Sequence, residues 1–267
     1  MLNESVLLWL AAVGYLAAAL SGIVGFRRPG FLRIALWILG AALLAHAVAI
    51  GLRWSRLGHG PYANLFEILS SNVWSLHAAA FIGGLSSILV RRTLGGVLPV
   101  LQVLTVWLVT TPTVDSALPV TYDTHWLPIH IALGKIFLGL TIIAVGLSIA
   151  VLLRRYAGMR LAYLPDAVRV EEAAYRLMLV AVVFESLMLI AGAAWAQDAW
   201  GRYWAWDPLE TWAFATWAAV IAYIHWRAWS RPRPEYAAIA VIAVFALAFL
   251  TFFGVPFIST APHKGAV

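Results

Sequence analysis

The sequence predicts an all-α fold: a polytopic integral membrane helix bundle of about eight transmembrane helices, forming a single membrane domain over residues 1–267. Three observations carry this expectation. Charged residues make up 11% of the chain and hydrophobic residues 63%, against about 25% charged in an average soluble protein; the mean hydropathy is +0.87. Eight apolar stretches come close to or exceed the ~20 residues that cross a hydrocarbon core as a helix. Basic residues crowd into alternate connections between those stretches.

The first stretch, 5–26, is too long for a signal-peptide core, and Arg27 and Arg28 follow it rather than precede it, so it reads as a retained span that starts outside. The second, 31–52, and third, 65–90, contain His46 and His77, for which hydrogen bonds between neighbouring helices are expected. Gly83-Gly84 in the third and Gly95-Gly96 in the fourth, 94–111, mark close helix approach. The fifth, 129–153, opens at His130 and carries Lys135. The sixth, 173–195, holds Glu185 near its middle; an unpaired carboxylate there costs ~2.5–3.5 kcal/mol, so a partner such as His46 or His77 is expected. The seventh, 211–229, places His225 about 21 Å from its outer end at 1.5 Å per residue. The eighth, 235–255, leads into a tail that contains His263.

With an outside start, the odd connections carry Arg27, Arg28, Arg33, Arg91, Arg92, Arg154, Arg155, Arg160, Arg169, Arg176, Arg227, Arg231 and Arg233. The other side holds only Arg53, Arg56, Arg202 and Lys264. The positive-inside rule then puts both termini on the extracytoplasmic side of a bacterial cytoplasmic (inner) membrane. The net charge of +6 reflects orientation in the lipid bilayer and gives no case for nucleic-acid binding. There is no cysteine, so thiol chemistry belongs to other proteins, with thiol-reducing partners supplied separately.

Between the sixth and seventh spans, about 195–212, five tryptophans (Trp195, Trp200, Trp204, Trp206, Trp212) share a segment with Tyr203 and three carboxylates, Asp198, Asp207 and Glu210. A membrane-interface aromatic belt also favours Trp and Tyr, but a belt scatters, whereas this cluster is contiguous, interrupted by Gly201 and Pro208, and acidic. It reads as a platform for a flat aromatic ligand. His130 and His263 lie at the outer surface on either side of it in sequence and can approach a metal from opposite directions. Surface histidines are also commonly just solvated; His59 and His125 stay undecided between surface residues and supporting partners. His225, deep in a span, is a functional-site candidate, although His-Trp-Arg at a helix end also fits interfacial anchoring.

Trp200-Gly-Arg-Tyr-Trp-Ala-Trp-Asp-Pro-Leu-Glu-Thr-Trp212 resembles the tryptophan-rich signature of haem-handling proteins in cytochrome c maturation. Its Asp-Pro-x-Glu-Thr-Trp ending is similar to the CcsA (ResC) branch of the system II pathway. Gly58-His-Gly-Pro-Tyr-Ala-Asn-Leu-Phe-Glu67, Trp126-Leu-Pro-Ile-His130, Ile224-His225 and His263 resemble further motifs of that branch, and the resemblance covers nearly the whole chain. It departs at Leu209, where the family commonly has Lys.

The resemblance implies that His130 and His263 are axial ligands of an external haem b resting on the tryptophan loop, and that His225 helps hold haem inside the membrane. Trp200, Trp204 and Trp206 would supply stacking area around Gly201, and Arg202 and Lys135 would meet propionates. Asp207 and Glu210 read as caps of the seventh span, since carboxylates repel propionates. Implied partners are a CcsB (ResB)-type membrane protein and an apocytochrome c presenting Cys-x-x-Cys-His; the chain would be one component of a haem-attachment system. Haem delivery to a soluble chaperone, as in system I, and b-type electron transfer are the alternatives. The Asp-Pro-x-Glu-Thr-Trp ending and eight spans argue against the first, and the external position of His130 and His263 against the second.

Overall fold

A computed structural model describes residues 3–158 and 163–258. Among them there are helices and one short 3-10 turn, and no strand. Hydrocarbon offers backbone N–H and C=O groups no partner, so the chain closes its hydrogen bonds within helices. In order these are α1 (Glu4–Gly25), α2 (Gly30–Leu57), α3 (Leu65–Ser86), α4 (Ile88–Arg92), α5 (Leu94–Thr110), the turn Val120–Tyr122, α6 (Trp126–Tyr156), α7 (Ala167–Trp200), α8 (Pro208–Ser230), α9 (Pro234–Phe253) and α10 (Val255–Ile258).

Every apolar stretch of the sequence is helical. Six helices (α1, α2, α3, α6, α7 and α9) are long and apolar enough to cross a membrane, and α5 is a shorter apolar helix of 17 residues. The chain is therefore a polytopic membrane helix bundle. α8 has 23 residues, enough to span in length, but its tryptophans, Glu210, His225 and Arg227 dilute its apolar character. The third stretch ends earlier than expected. Ser87 takes an extended conformation at φ −131°, closes α3 and caps α4 by accepting from the Val90 N–H.

Contacts divide the chain into two compact units, residues 1–117 with 152–166, and residues 118–151 with 167–267. In the first, α1 pairs with α2, and α5 packs on α1 and α3. A Cβ on Gly95 would stand 2.4 Å from the Gly22 carbonyl oxygen and 2.7 Å from the Phe26 ring, and one on Gly84 would stand 2.9 Å from Leu36. Gly95 lets two helices meet at backbone distance and Gly84 makes room for the Leu36 side chain, the close approach that their pairing in the sequence predicts.

The buried polar groups of this unit sort into two clusters. In mid-bundle, His46 hydrogen-bonds the Tyr15 hydroxyl at 3.1 Å through Nδ1 and Ser70 Oγ at 2.9 Å through Nε2, the expected bonding between helices. His77 departs from that expectation. Its Nδ1 donates within α3 to the Val73 carbonyl at 2.8 Å, its ring stacks on Tyr15 at 3.8 Å, and its Nε2 is buried without a partner among the described residues.

At the other cluster, buried Arg53 donates to Glu67 at 2.9 Å, to Glu4 at 3.1 Å and to the Val114 carbonyl at 2.5 Å. Glu67 also accepts the Ala63 N–H at 3.0 Å, and Asn64 caps α3 through the Glu67 N–H at 2.9 Å. The Gly58–Glu67 motif is thus an electrostatic tie between helix ends and the 113–116 segment. His59 belongs to it: Nδ1 faces the Gly60 carbonyl at 2.9 Å and Nε2 the Ser116 carbonyl at 2.8 Å. Only the imidazolium can donate to both. Burial pulls its pKa down, but the two carbonyl bonds and nearby Glu67 outweigh burial and hold it above the ordinary value.

In the second unit α8 packs on α7 and α9. Polar side chains bridge them: Thr216 to Thr251 at 2.8 Å, and the Trp217 indole to Ser186 at 2.8 Å. Arg227 clamps Glu171 bidentately at 3.0 and 2.8 Å and reaches Glu172 at 2.6 Å. Glu185 corrects the expectation of a partner. The residue is 0% exposed, and neither carboxylate oxygen has a hydrogen-bond partner among the described residues; His46 is already engaged by Tyr15 and Ser70. A carboxyl group avoids the cost of an unpaired buried charge by staying protonated.

Two outcomes follow from these packings. Gly95→Ala forces its Cβ against the Gly22 backbone, which cannot swing aside, and should destabilise the purified protein by about 1–3 kcal/mol, read as a lowered midpoint of thermal unfolding in detergent. His59 has a folded-state pKa above its unfolded value, so its contribution is fully present below about pH 6.5 and fades as pH rises through the folded pKa. The stability difference between wild type and His59→Gln should shrink on going from acid to alkaline conditions. A difference that grows with pH would remove His59 from the tie.

Candidate functional site

α7 runs on through Trp200 and α8 begins at Pro208, so the aromatic segment is a tight loop, Gly201–Asp207, held between two helix ends. Gly201 at φ 72° closes α7 through its N–H to the Gln197 carbonyl at 2.9 Å. Trp206 sits at φ 59°, left-handed backbone that is uncommon outside glycine and persists only where surroundings impose it. Those surroundings are visible. Asp207 caps α8 by accepting the Glu210 N–H at 3.0 Å, and Glu210 reaches back to accept the Ala205 N–H at 2.7 Å. The Thr211 hydroxyl donates to the Trp206 carbonyl at 3.1 Å. Asp207 and Glu210 build the loop, as their positions ahead of and within the first turn predict.

Under the loop lies a cleft of about 160 Å³, whose walls include His130, Met188, Trp195, Trp204, Leu209 and Phe252. The His130 Nδ1 donates to the Met188 carbonyl at 2.9 Å. That bond places a proton on Nδ1, so that in the neutral ring the lone pair is on Nε2, the form a metal ligand requires. The ring stacks on Trp195 at 6.1 Å, whose indole donates to the Thr121 carbonyl at 3.0 Å and whose face meets the edge of Tyr122 at 5.6 Å. Burial pushes the Tyr122 phenol up to about 12, so it stays neutral. Gly192 makes this arrangement possible: a Cβ there would lie 2.8 Å from His130 Nδ1.

Trp204 contributes a wall and a donor. Its Nε1–H is buried and has no hydrogen-bond partner among the described residues. The residues present suit a flat, largely apolar ligand rimmed by carboxylates: an imidazole of fixed tautomer, aromatic walls, and an indole N–H in need of an acceptor.

The other sequence-predicted residues lie in different places. Trp200 packs on Trp195 at 4.9 Å, and Trp206 edges against Trp204 at 5.5 Å and Phe214 at 5.9 Å, so both support the wall from outside the cleft. Arg202 is exposed on the loop and Lys135 is half-buried on α6, neither in the cleft wall. His225 is exposed on α8, its Nδ1 donating to the Ile221 carbonyl at 2.9 Å. It lies twelve residues past Ala213 of the cleft, about 18 Å along the helix. His125 sits in a shallow hollow with Asp123 and Asp198. His263 lies outside the described residues. Sequence reasoning missed Gly192, Met188 and Phe252, which line the cleft with Tyr203 of the aromatic segment. Gly192 alone carried a signal, as a small residue in an apolar helix opposite a histidine-bearing one.

A family model described as "Cytochrome C assembly protein" matches residues 1–263. The chain belongs to this family. Relatives called "Cytochrome c biogenesis protein CcsA" agree along most of their length. The protein of Chlamydomonas reinhardtii is 28% identical over 240 residues, 85% of this chain and 67% of its own. That of Prochlorococcus marinus strain MIT 9303 is 27% identical over 257 residues, 80% and 79% of the two chains, and that of Guillardia theta 26% over 250 residues, 84% and 82%. These matches place the chain in the CcsA group.

Gly192→Ala tests the packing that orients His130. If His130 ligates haem, this variant should lower the haem retained on purification by about 10–100-fold, the usual cost of disturbing a group that orients a ligand, while far-ultraviolet circular dichroism stays unchanged. Full haem occupancy in this variant would show that His130 tolerates displacement and that its present orientation is incidental.

Proposed function

We propose that this protein holds haem b at the tryptophan loop and presents it to apocytochrome c for covalent attachment. Its family places it in cytochrome c biogenesis as a multi-pass membrane protein. The observation that carries the finer reading is the pairing, in one cleft, of a His130 whose tautomer is set by Met188 with a buried, unpartnered Trp204 N–H among aromatic walls. His130 and His263 are the axial ligands, and two neutral imidazoles keep iron six-coordinate and less open to oxygen before transfer. Trp206 braces Trp204 and Trp200 braces Trp195, the Gly201 turn sets the loop's start and Asp207 its end, while Arg202 and Lys135 are the cations for propionates.

The attachment chemistry joins thiols of a Cys-x-x-Cys-His segment to haem vinyl groups. This chain has no cysteine, so its part is to position haem, exclude water and leave the thiols to the apocytochrome and separate thiol-reducing proteins. The loop and both termini face the extracytoplasmic side, as the arginine distribution requires, and the whole chain acts as one membrane domain. His225 serves haem within the membrane. Its ring is exposed on α8, open to an axial ligand from a CcsB-type partner.

Spectroscopy of protein purified with that partner decides the assignment. His130→Ala should lose or broaden the low-spin haem spectrum, and added imidazole should restore it by occupying the vacated position; an unchanged low-spin spectrum would overturn it. His225→Ala should lower haem at both positions and His263→Ala only at the external one. Undiminished external haem in the His225 variant would leave His225 as a packing residue.

A further inference from the structure

At the end of the first unit where α1 meets α2 and α3 gives way to α4, two adjoining hollows share Arg33 and Arg91. One, of about 400 Å³, continues along apolar side chains, Leu36, Trp37, Phe81 and Leu85. The other, of about 340 Å³, adds Ile88 and Arg92. The two shared guanidinium groups are not neutralised. Arg91 Nε donates to the Gly84 carbonyl at 2.8 Å and Nη2 to the Leu85 carbonyl at 3.4 Å, capping the end of α3. Arg33 is exposed, makes no hydrogen bond, and neither arginine pairs with a carboxylate among the described residues. Arg92 is separately engaged by the Tyr163 carbonyl.

Two cations brought to one groove without a counter-charge raise the potential there and favour an anion. The groove has an apolar continuation, and Trp37, 80% exposed one turn along α2 from Arg33, stands where a tryptophan at a membrane interface would. An anion with a hydrocarbon tail meets both demands. From this geometry we infer that the Arg33–Arg91 groove is a binding site for an anionic phospholipid, its phosphate between the guanidinium groups and one acyl chain along Trp37, Phe81 and Leu85. Arginine suits phosphate because its planar fork donates in pairs. Haem is also an apolar dianion, but no histidine, methionine or tyrosine lines either hollow, so iron would lack an axial ligand. The inference stands apart from how the tryptophan loop is used.

The test is native mass spectrometry of the delipidated full-length protein, titrated with phosphatidylglycerol or with phosphatidylcholine of the same acyl chains. Phosphatidylglycerol should bind more tightly. Arg33→Gln should weaken it about fivefold, the effect of one cation near a charged headgroup, Arg33→Lys should keep most of the affinity, and Arg28→Gln, outside the groove, should change nothing. Arg33 makes no hydrogen bond among the described residues, so its variants separate ligand binding from stability. Equal affinity for the two lipids, or phosphatidylglycerol binding indifferent to Arg33→Gln, would overturn the site. Haemin displacing phosphatidylglycerol one for one, with the same dependence on Arg33, would overturn the lipid assignment in favour of a carboxylate amphiphile.

Discussion

A peptide group left unpaired in hydrocarbon costs several kcal/mol, and this constraint governs what the chain does at every helix end. Within a helix the requirement is met by the backbone itself. At four helix starts side chains take over: Asn3 accepts from the Ser5 N–H, Asn64 from Glu67, Ser87 from Val90 and Asp207 from Glu210. The loop that carries the candidate haem site is a consequence of the last of these. Glu210 extends the cap by taking the Ala205 N–H, and the short connection that results forces Trp206 into left-handed backbone. The aromatic platform is shaped by the capping of α8.

The same solvent sorts the histidines. His46 and His77 are fully buried, where a charged imidazole would be costly, and each finds a neutral bonding arrangement around Tyr15. His59 stands outside the spans between two carbonyls and favours its cationic form. At His130 one nitrogen is committed to the Met188 carbonyl. His225 uses the same device, with Ile221, on an exposed helix face. One residue type thus serves as packing element, electrostatic strut and candidate ligand.

Carboxylates divide likewise. Glu67 and Glu171 are buried and each meets an arginine, Arg53 and Arg227, that ties separate helices together. Removing either arginine would leave a buried charge uncompensated, which is far more costly than the pair is stabilising. Glu185 has no such partner among the described residues and sits in mid-helix between small and apolar neighbours.

Composition and spacing alone determined that the chain is a membrane bundle, since a run of some twenty apolar residues has few other fates, and all eight runs became helices with ends near the expected positions. The cap Asp207, the glycine contacts at Gly84 and Gly95 and the candidate role of His130 were legible for the same reason: each depends on neighbours a few residues away or on residue type. Tertiary structure decided the rest. That Trp204 rather than Trp200 or Trp206 lines the cleft follows from where α7 stops, and that Gly192 admits the His130 ring follows from how α6 packs on α7. Glu185 lacks a partner, and Arg33 and Arg91 share a groove, because helices distant in sequence meet at particular rotations. Rotation is set by summed packing across the bundle, a quantity that no local pattern of residues contains.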